Sequence, residues 1–139
     1  KKFIFWILSK SKKKVIRGLH LQKKFQQGKY VSVVEGKIFD VALDLREKSK
    51  TFGKYFSIIL SEKNSTSIFI PPGFAHGFCG LDKNNRVLYG CTNYRSQKDE
   101  IGIIWNDKSL KIKWPIKKAS VSNKDKKNIT FKSYKDLFL

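Results

Sequence analysis

The sequence predicts an all-β fold, an antiparallel sandwich or barrel, from three observations. Short β-rich runs recur at regular spacing, clusters of Gly, Pro, Asn and Ser separate them, and no convincing helical pattern precedes the C-terminal tail. With 139 residues, 40% hydrophobic and including 11 Phe, 5 Tyr and 3 Trp, the chain has the apolar material for one core. Residues 1–139 are read as a single domain, because no repeat or low-complexity linker divides them.

The chain opens on a strand-like apolar run, Phe3-Ile4-Phe5-Trp6-Ile7-Leu8, too short to cross a bilayer and lacking the core and cleavage site of a secretory signal. A cytoplasmic location without membrane insertion is therefore expected. The absence of Met and the opening in mid-strand point to residues upstream of Lys1. From Lys29 to Leu45 the pattern has period two: Phe39, Val41, Leu43 and Leu45 share one face, and Asp40, Ala42 and Asp44 the other. Two strands should flank the turn at Glu35-Gly36. Further strands are expected over Tyr55–Leu60, Ser67–Ile70, Ala75–Gly80 and Arg86–Thr92. After Trp105 the pattern loosens, and the lysine-rich tail from Lys117 to Leu139 has room for at most a short helix.

A net charge of +19 raises the question of a nucleic-acid partner. Of the 30 basic residues, however, only Arg17, Arg46, Arg86 and Arg95 carry the bidentate fork that base readers favour, and the lysines are dispersed. Nucleic acid is not the expected partner; most of the lysine is solvated surface. Cys79 and Cys91 lack CxxC spacing and lie in apolar runs, so they read as buried free thiols.

The only two histidines occur in Arg17-Gly18-Leu19-His20-Leu21-Gln22 and Ile70-Pro71-Pro72-Gly73-Phe74-Ala75-His76-Gly77-Phe78. Histidine titrates near neutrality, so its placement inside dense Gly/Pro-punctuated segments points to proton chemistry. A bland reading stands beside this one: His76 as a hydrogen-bonded core residue, Tyr89 as an aromatic filling the barrel, Lys29 and Lys124 as solvated lysines. Two histidines cannot build a conventional His-rich metal centre within one chain, and no metal is expected.

Several strings in order make the chain resemble the dTDP-4-dehydrorhamnose 3,5-epimerase family. They are the two histidine motifs, Gln27-Gly28-Lys29, the run from Gly36 to Arg46, Thr51-Phe52-Gly53, the run from Leu60 to Asn64, Tyr89 with Thr92-Asn93-Tyr94, and the run from Gly102 to Asp107. The resemblance covers about Val15 to Asp125. It implies a cupin-type jelly-roll barrel with a short C-terminal helical or irregular tail, a homodimer, and cofactor-independent epimerisation of a 4-keto-6-deoxy nucleotide sugar in polysaccharide synthesis.

Such a reaction removes a proton beside a ketone and returns one to the opposite face, which calls for a base, an acid across the ring and a cation near the developing enolate. The resemblance assigns His20 as the base, Asp125 as its partner, Tyr89 as the opposing proton donor and Lys29 as the enolate's cation. A phenol with a pKa near 10 suits donation to an enolate, the more so if nearby lysines lower that value. It further implies substrate contacts from Arg17, His76, Glu100 and Lys124.

Three departures stand out. Phe5 and Ile7 occupy positions where the family carries amide side chains, Arg95 stands where many members have a second tyrosine that stacks on the base, and the family's N-terminal segment has no counterpart before Lys1. Arginine can stack on a base or meet a phosphate, so Arg95 is retained among the binding residues. Two alternatives remain: an epimerase acting on one carbon of another nucleotide sugar, or a sugar-nucleotide binding protein without turnover.

Overall fold

The computed structural model describes residues 2–139. Ten strands run in chain order: β1 (Phe5–Lys12), β2 (Val15–Gln22), β3 (Lys29–Glu35), β4 (Lys37–Asp44), β5 (Tyr55–Ser61), β6 (Ile68–Ile70), β7 (Phe74–Gly80), β8 (Asn84–Cys91), β9 (Glu100–Gly102) and β10 (Ser120–Val121). Helices α1 (Asn123–Lys126) and α2 (Phe131–Phe138) follow. One sheet has the order β1-β8-β3-β6; the other runs β10-β2-β7-β4-β5, with β9 also paired to β2. All pairings are antiparallel except the short one between β10 and β2. The result is a cupin-type jelly-roll barrel. Among the described residues no helix is long and apolar enough to cross a membrane.

The hairpin expected around Glu35-Gly36 forms, with Gly36 at φ +83°. A Cβ there would lie 2.3 Å from the carbonyl oxygen of Asn84, so the turn needs glycine for both its dihedral and its clearance.

Strand β4 shows how the core is layered. Ile38 and Ala42 pack between the two sheets with Val31, Val33, Leu60, Phe78 and Val87, whereas Val41 and Leu43 pack on the outer side with Leu19, Leu21, Phe131 and Tyr134. The period-two alternation is thus present, but both faces are buried. Asp40, on the face of Ile38 and Ala42, is consequently an interior carboxylate, 1% exposed.

The outer layer is supplied by the tail, which holds more structure than one short helix. Thr130 caps α2 by accepting the Ser133 N–H at 3.1 Å, and Asp107 Oδ2 accepts that of Phe131 at 2.8 Å. Phe131, Tyr134 and Phe138 recur at helical spacing, and the first two seal the outer side of the six-stranded sheet. Lysines interspersed in this short stretch hide the pattern.

Candidate active site

Between the sheets lies a cavity of about 280 Å³. Every residue singled out from the sequence for catalysis or binding lines it: Arg17 and His20 from β2, Lys29 from β3, His76 from β7, Tyr89 from β8, Arg95 from the loop after β8, Glu100 from β9, and Lys124 and Asp125 from α1. His20 and Tyr89 belong to different sheets, which face each other across the barrel interior.

A regular strand would send Arg17 and His20, three positions apart, to opposite faces. The ladder between β2 and β7 breaks register between these two residues, and this irregularity brings both side chains to the cavity. Gly18 makes the break possible. Its φ is +113°, and a Cβ would lie 2.6 Å from His76 O and 2.7 Å from Gly77 Cα.

Asp125 binds both sides of this bulge. Its Oδ1 lies 2.6 Å from His20 Nε2, and its Oδ2 accepts the Gly18 N–H at 3.1 Å. Burial opposes ionisation of Asp125, but the bond to His20, the imidazole's charge, the Gly18 N–H and Asn128 together hold its carboxyl below the usual carboxylate range. An ionised Asp125 can only accept, so Nε2 carries the proton and Nδ1 of the neutral ring is the free basic nitrogen. Ser122 holds the carboxylate's own backbone by capping α1, its Oγ accepting the Asp125 N–H at 3.1 Å.

His76 has a partner the sequence reading did not single out. Its Nε2 lies 2.6 Å from Asp40 Oδ1, and both residues are buried. Asp40 Oδ2 is buried without a hydrogen-bond partner among the described residues. His76 is therefore at once a hydrogen-bonded interior residue and part of the cavity wall. The available signal was phase: Asp40 alternates with Ile38 and Ala42, so a buried polar residue there needs a partner on a neighbouring strand.

The condition that nearby cations lower the Tyr89 pKa is not met. Burial raises the phenol's pKa, the Cys91 thiol adds to this, and the opposing pull of Arg17 and Arg95 is weaker. Tyr89 is half-buried, and its ring centroid stands 6.2 Å from that of His76. The Lys29 ammonium makes no hydrogen bond or ion pair among the described residues; burial lowers its pKa, against Cys91, Glu100 and Asp40.

Cations gather at the rim. Arg17 Nε donates to Ser11 Oγ at 2.8 Å and Nη2 to Lys10 O at 2.9 Å, which leaves Nη1 uncommitted among the described residues. Glu100 holds Lys124 Nζ at 2.5 Å and Arg95 Nε at 3.4 Å. Burial works against ionisation of Glu100, but Lys124, His20 and Arg95 outweigh it and lower its pKa. The side chains of Arg95 and Lys124 are 48% and 55% exposed, against 26% for His20 and 5% for Asp125. The imidazole–carboxylate pair thus sits deep, and positive charge surrounds the entrance. Such a site suits an anionic ligand whose uncharged part goes in first.

Cys79 and Cys91 are both free and buried, and burial pushes the Cys79 thiol up to about 11. No group of three or more His, Cys, Asp or Glu side chains able to hold a metal ion occurs among the described residues.

A family model for dTDP-4-dehydrorhamnose 3,5-epimerase matches residues 1–133. The enzyme of that name from Shigella flexneri is 48% identical over 118 residues, covering 84% of this chain and 65% of the relative; that from Neisseria gonorrhoeae is 50% identical over 111 residues, covering 80% and 34%. The chain therefore spans less than two thirds of these relatives. Among solved structures, the dTDP-4-dehydrorhamnose 3,5-epimerase of Elizabethkingia anophelis superposes with a TM-score of 0.93 at 42% identity, covering 95% of this chain and 74% of that one. A dTDP-6-deoxy-D-glucose-3,5-epimerase from Legionella pneumophila, in complex with dTDP-4-keto-L-rhamnose, gives 0.91 at 42% identity, covering 93% and 69%.

Proposed function

Since the chain belongs to the dTDP-4-dehydrorhamnose 3,5-epimerase family, we propose that it is an isomerase that inverts carbon beside the ketone of a 4-keto-6-deoxy nucleotide sugar, with dTDP-4-dehydro-6-deoxyglucose as the reference substrate. The observation that carries this reading is the supply of His20 and Tyr89 to one cavity by opposed sheets, with Asp125 behind the imidazole. A sugar ring between the sheets has a base on one face and a proton donor on the other.

Nδ1 of His20 takes the proton beside the ketone, and Asp125 stabilises the imidazolium that results. Negative charge moves to the ketone oxygen, where the Lys29 ammonium meets it. Tyr89 then protonates the carbon from the other face. Its raised pKa keeps the phenol protonated at neutral pH, ready to donate. None of these steps calls on a cofactor. His76 borders the sugar, and the rim cations hold the diphosphate. The ligand in the Legionella relative supports this substrate class.

The same reading treats residues 1–139 as one functional unit that pairs with a second copy. The outer face of the four-stranded sheet exposes Trp6, Leu8, Tyr30 and Phe69, with Phe3 packed 5.9–6.1 Å from the rings of Trp6, Tyr30 and Phe69. An exposed apolar sheet face of this kind is covered by a two-fold mate. Light scattering is expected to give a dimer, and Leu8→Lys a monomer.

The activity is tested by incubating the protein with dTDP-4-dehydro-6-deoxyglucose in deuterium oxide. Deuterium enters at the carbons flanking the ketone and the inverted sugar accumulates. Absence of both wash-in and inversion removes the epimerase reading.

A further inference from the structure

Resting on the epimerase reading, we propose that Asn128 is a positioning residue for the base: its side-chain amide ties Asp125 to the bulge of β2 and so fixes where the carboxylate meets His20. Asn128 stands two residues past α1 and is half-buried. Its Nδ2 donates to Gly18 O at 3.2 Å and to Asp125 Oδ1 at 3.4 Å. A carbonyl and a carboxylate can only accept, so the nitrogen of the amide, and not its oxygen, must face them. Asp125 Oδ2 in turn accepts the Gly18 N–H at 3.1 Å. The residue that turns Arg17 and His20 into the cavity thus has its N–H held by Asp125 and its carbonyl held by Asn128. A carboxylate bound at two points, here by His20 and Gly18, can still tilt about the line joining them. The third donor removes that freedom.

The opposite side of the amide is shaped by Gly102, which pairs with His20 in the ladder between β9 and β2. Gly102 does not adopt a positive φ, so its backbone makes no demand for glycine. Clearance does: a Cβ at this position would fall on the Asn128 amide, nearest its Oδ1. The main chain around residue 128 is anchored without that amide. Asn128 N donates to Asp125 O at 3.2 Å, Ile129 N to Gly102 O at 3.0 Å, and Ile104 N to Ile129 O at 2.8 Å. The fold therefore does not hang on the side chain, whose two donated bonds are both spent on the support of His20.

The test compares Asn128→Ala and Gly102→Ala, alone and together, in the whole chain. Asn128→Ala should lower kcat roughly 5- to 100-fold with KM unchanged, as for a slightly misplaced base. Removing a donor from the carboxylate makes the His20–Asp125 pair hold its proton more tightly, so the acid limb of kcat/KM should move to higher pH. The other charged groups lining the cavity, Arg17, Lys29, Arg95, Glu100 and Lys124, are untouched by these substitutions. Gly102→Ala should reproduce the loss by displacing the amide. The double variant should be no worse than Asn128→Ala, because the atoms that the added methyl would meet are gone. Proton NMR supplies a reading independent of turnover. The proton between His20 and Asp125, at 2.6 Å, should resonate at low field and shift or broaden in Asn128→Ala, while the one between His76 and Asp40, also at 2.6 Å, stays as in the parent. An acid limb and a His20 proton unchanged in Asn128→Ala, or additive losses in the double variant, overturn the proposal and leave the epimerase reading standing. A parent protein that does not epimerise removes that reading, and the His20 proton then decides alone whether the amide positions Asp125.

Discussion

Asp125 Oδ1 stands 2.6 Å from His20 Nε2 across 105 residues of sequence, so α1, far along the chain, orients the proposed base. Replacing the carboxylate by an amide reverses the tautomer logic. The amide introduced by Asp125→Asn, if its nitrogen donates to Nε2, forces the ring proton onto Nδ1, where the base is needed. Asp125→Asn should therefore lower kcat by roughly two to four orders of magnitude with little change in KM, and His20→Ala should abolish both turnover and solvent exchange. An Asp125→Asn protein turning over at the parent rate would detach the carboxylate from the mechanism.

Tyr89→Phe separates the two proton transfers. The ring still packs near His76, 6.2 Å away, but it has no proton to give. His20 can still form the enolate and return a proton to the original face. Deuterium wash-in should persist while inverted product falls roughly 10²- to 10⁴-fold. Inversion at the parent rate would show that another group is the acid.

The backbone at Gly18 offers a third test, because the same residue supplies an N–H to Asp125 and the bulge that turns Arg17 and His20 inward. Gly18→Ala must adopt φ +113° with its Cβ 2.6 Å from the His76 carbonyl oxygen. A loss of about 2–4 kcal/mol in urea denaturation is expected. Parent stability with parent activity would mean that the strand absorbs the side chain without disturbing the bulge.

These relationships were unequally visible in the sequence. The hairpin at Glu35-Gly36 was legible because a period-two run meets a glycine that only a tight turn needs. The cavity residues were reached through ordered motifs, since Lys29 and Lys124 are chemically indistinguishable from the solvated lysines around them. Asp40 escaped because alternation gives the phase of β4 without saying that both faces are covered. That information resides in α2, whose Phe131 and Tyr134 come some 90 residues later to close the outer side. The raised pKa of Tyr89 has the same origin: charge can be counted along a sequence, but the desolvation that dominates this phenol exists only once the sheets close over it.

Acid sensitivity gives a final prediction, away from the cavity. Asp44, 1% exposed at the end of β4, accepts from Arg46 N at 3.0 Å, Arg46 Nη2 at 2.9 Å, and Ser49 and Thr51 hydroxyls at 2.5 Å, anchoring the following loop. Burial disfavours its charge, but the hydrogen bonds from Arg46, Ser49 and Thr51 prevail and hold the carboxyl well below the usual range. An unfolded aspartate titrates near about 3.9. Because the folded value lies lower, the unfolded chain binds the proton first as pH falls. The contribution of Asp44 is full above the unfolded value and disappears as pH drops through the folded one. Asp44→Asn should cost about 2 kcal/mol at pH 7, reflecting weakened charge-assisted hydrogen bonds, and the gap between parent and variant should narrow below about pH 4. Urea denaturation of both proteins across that range measures it. A gap that stays constant down to the lowest pH at which the parent folds would mean that the ionised carboxylate is not what anchors the loop.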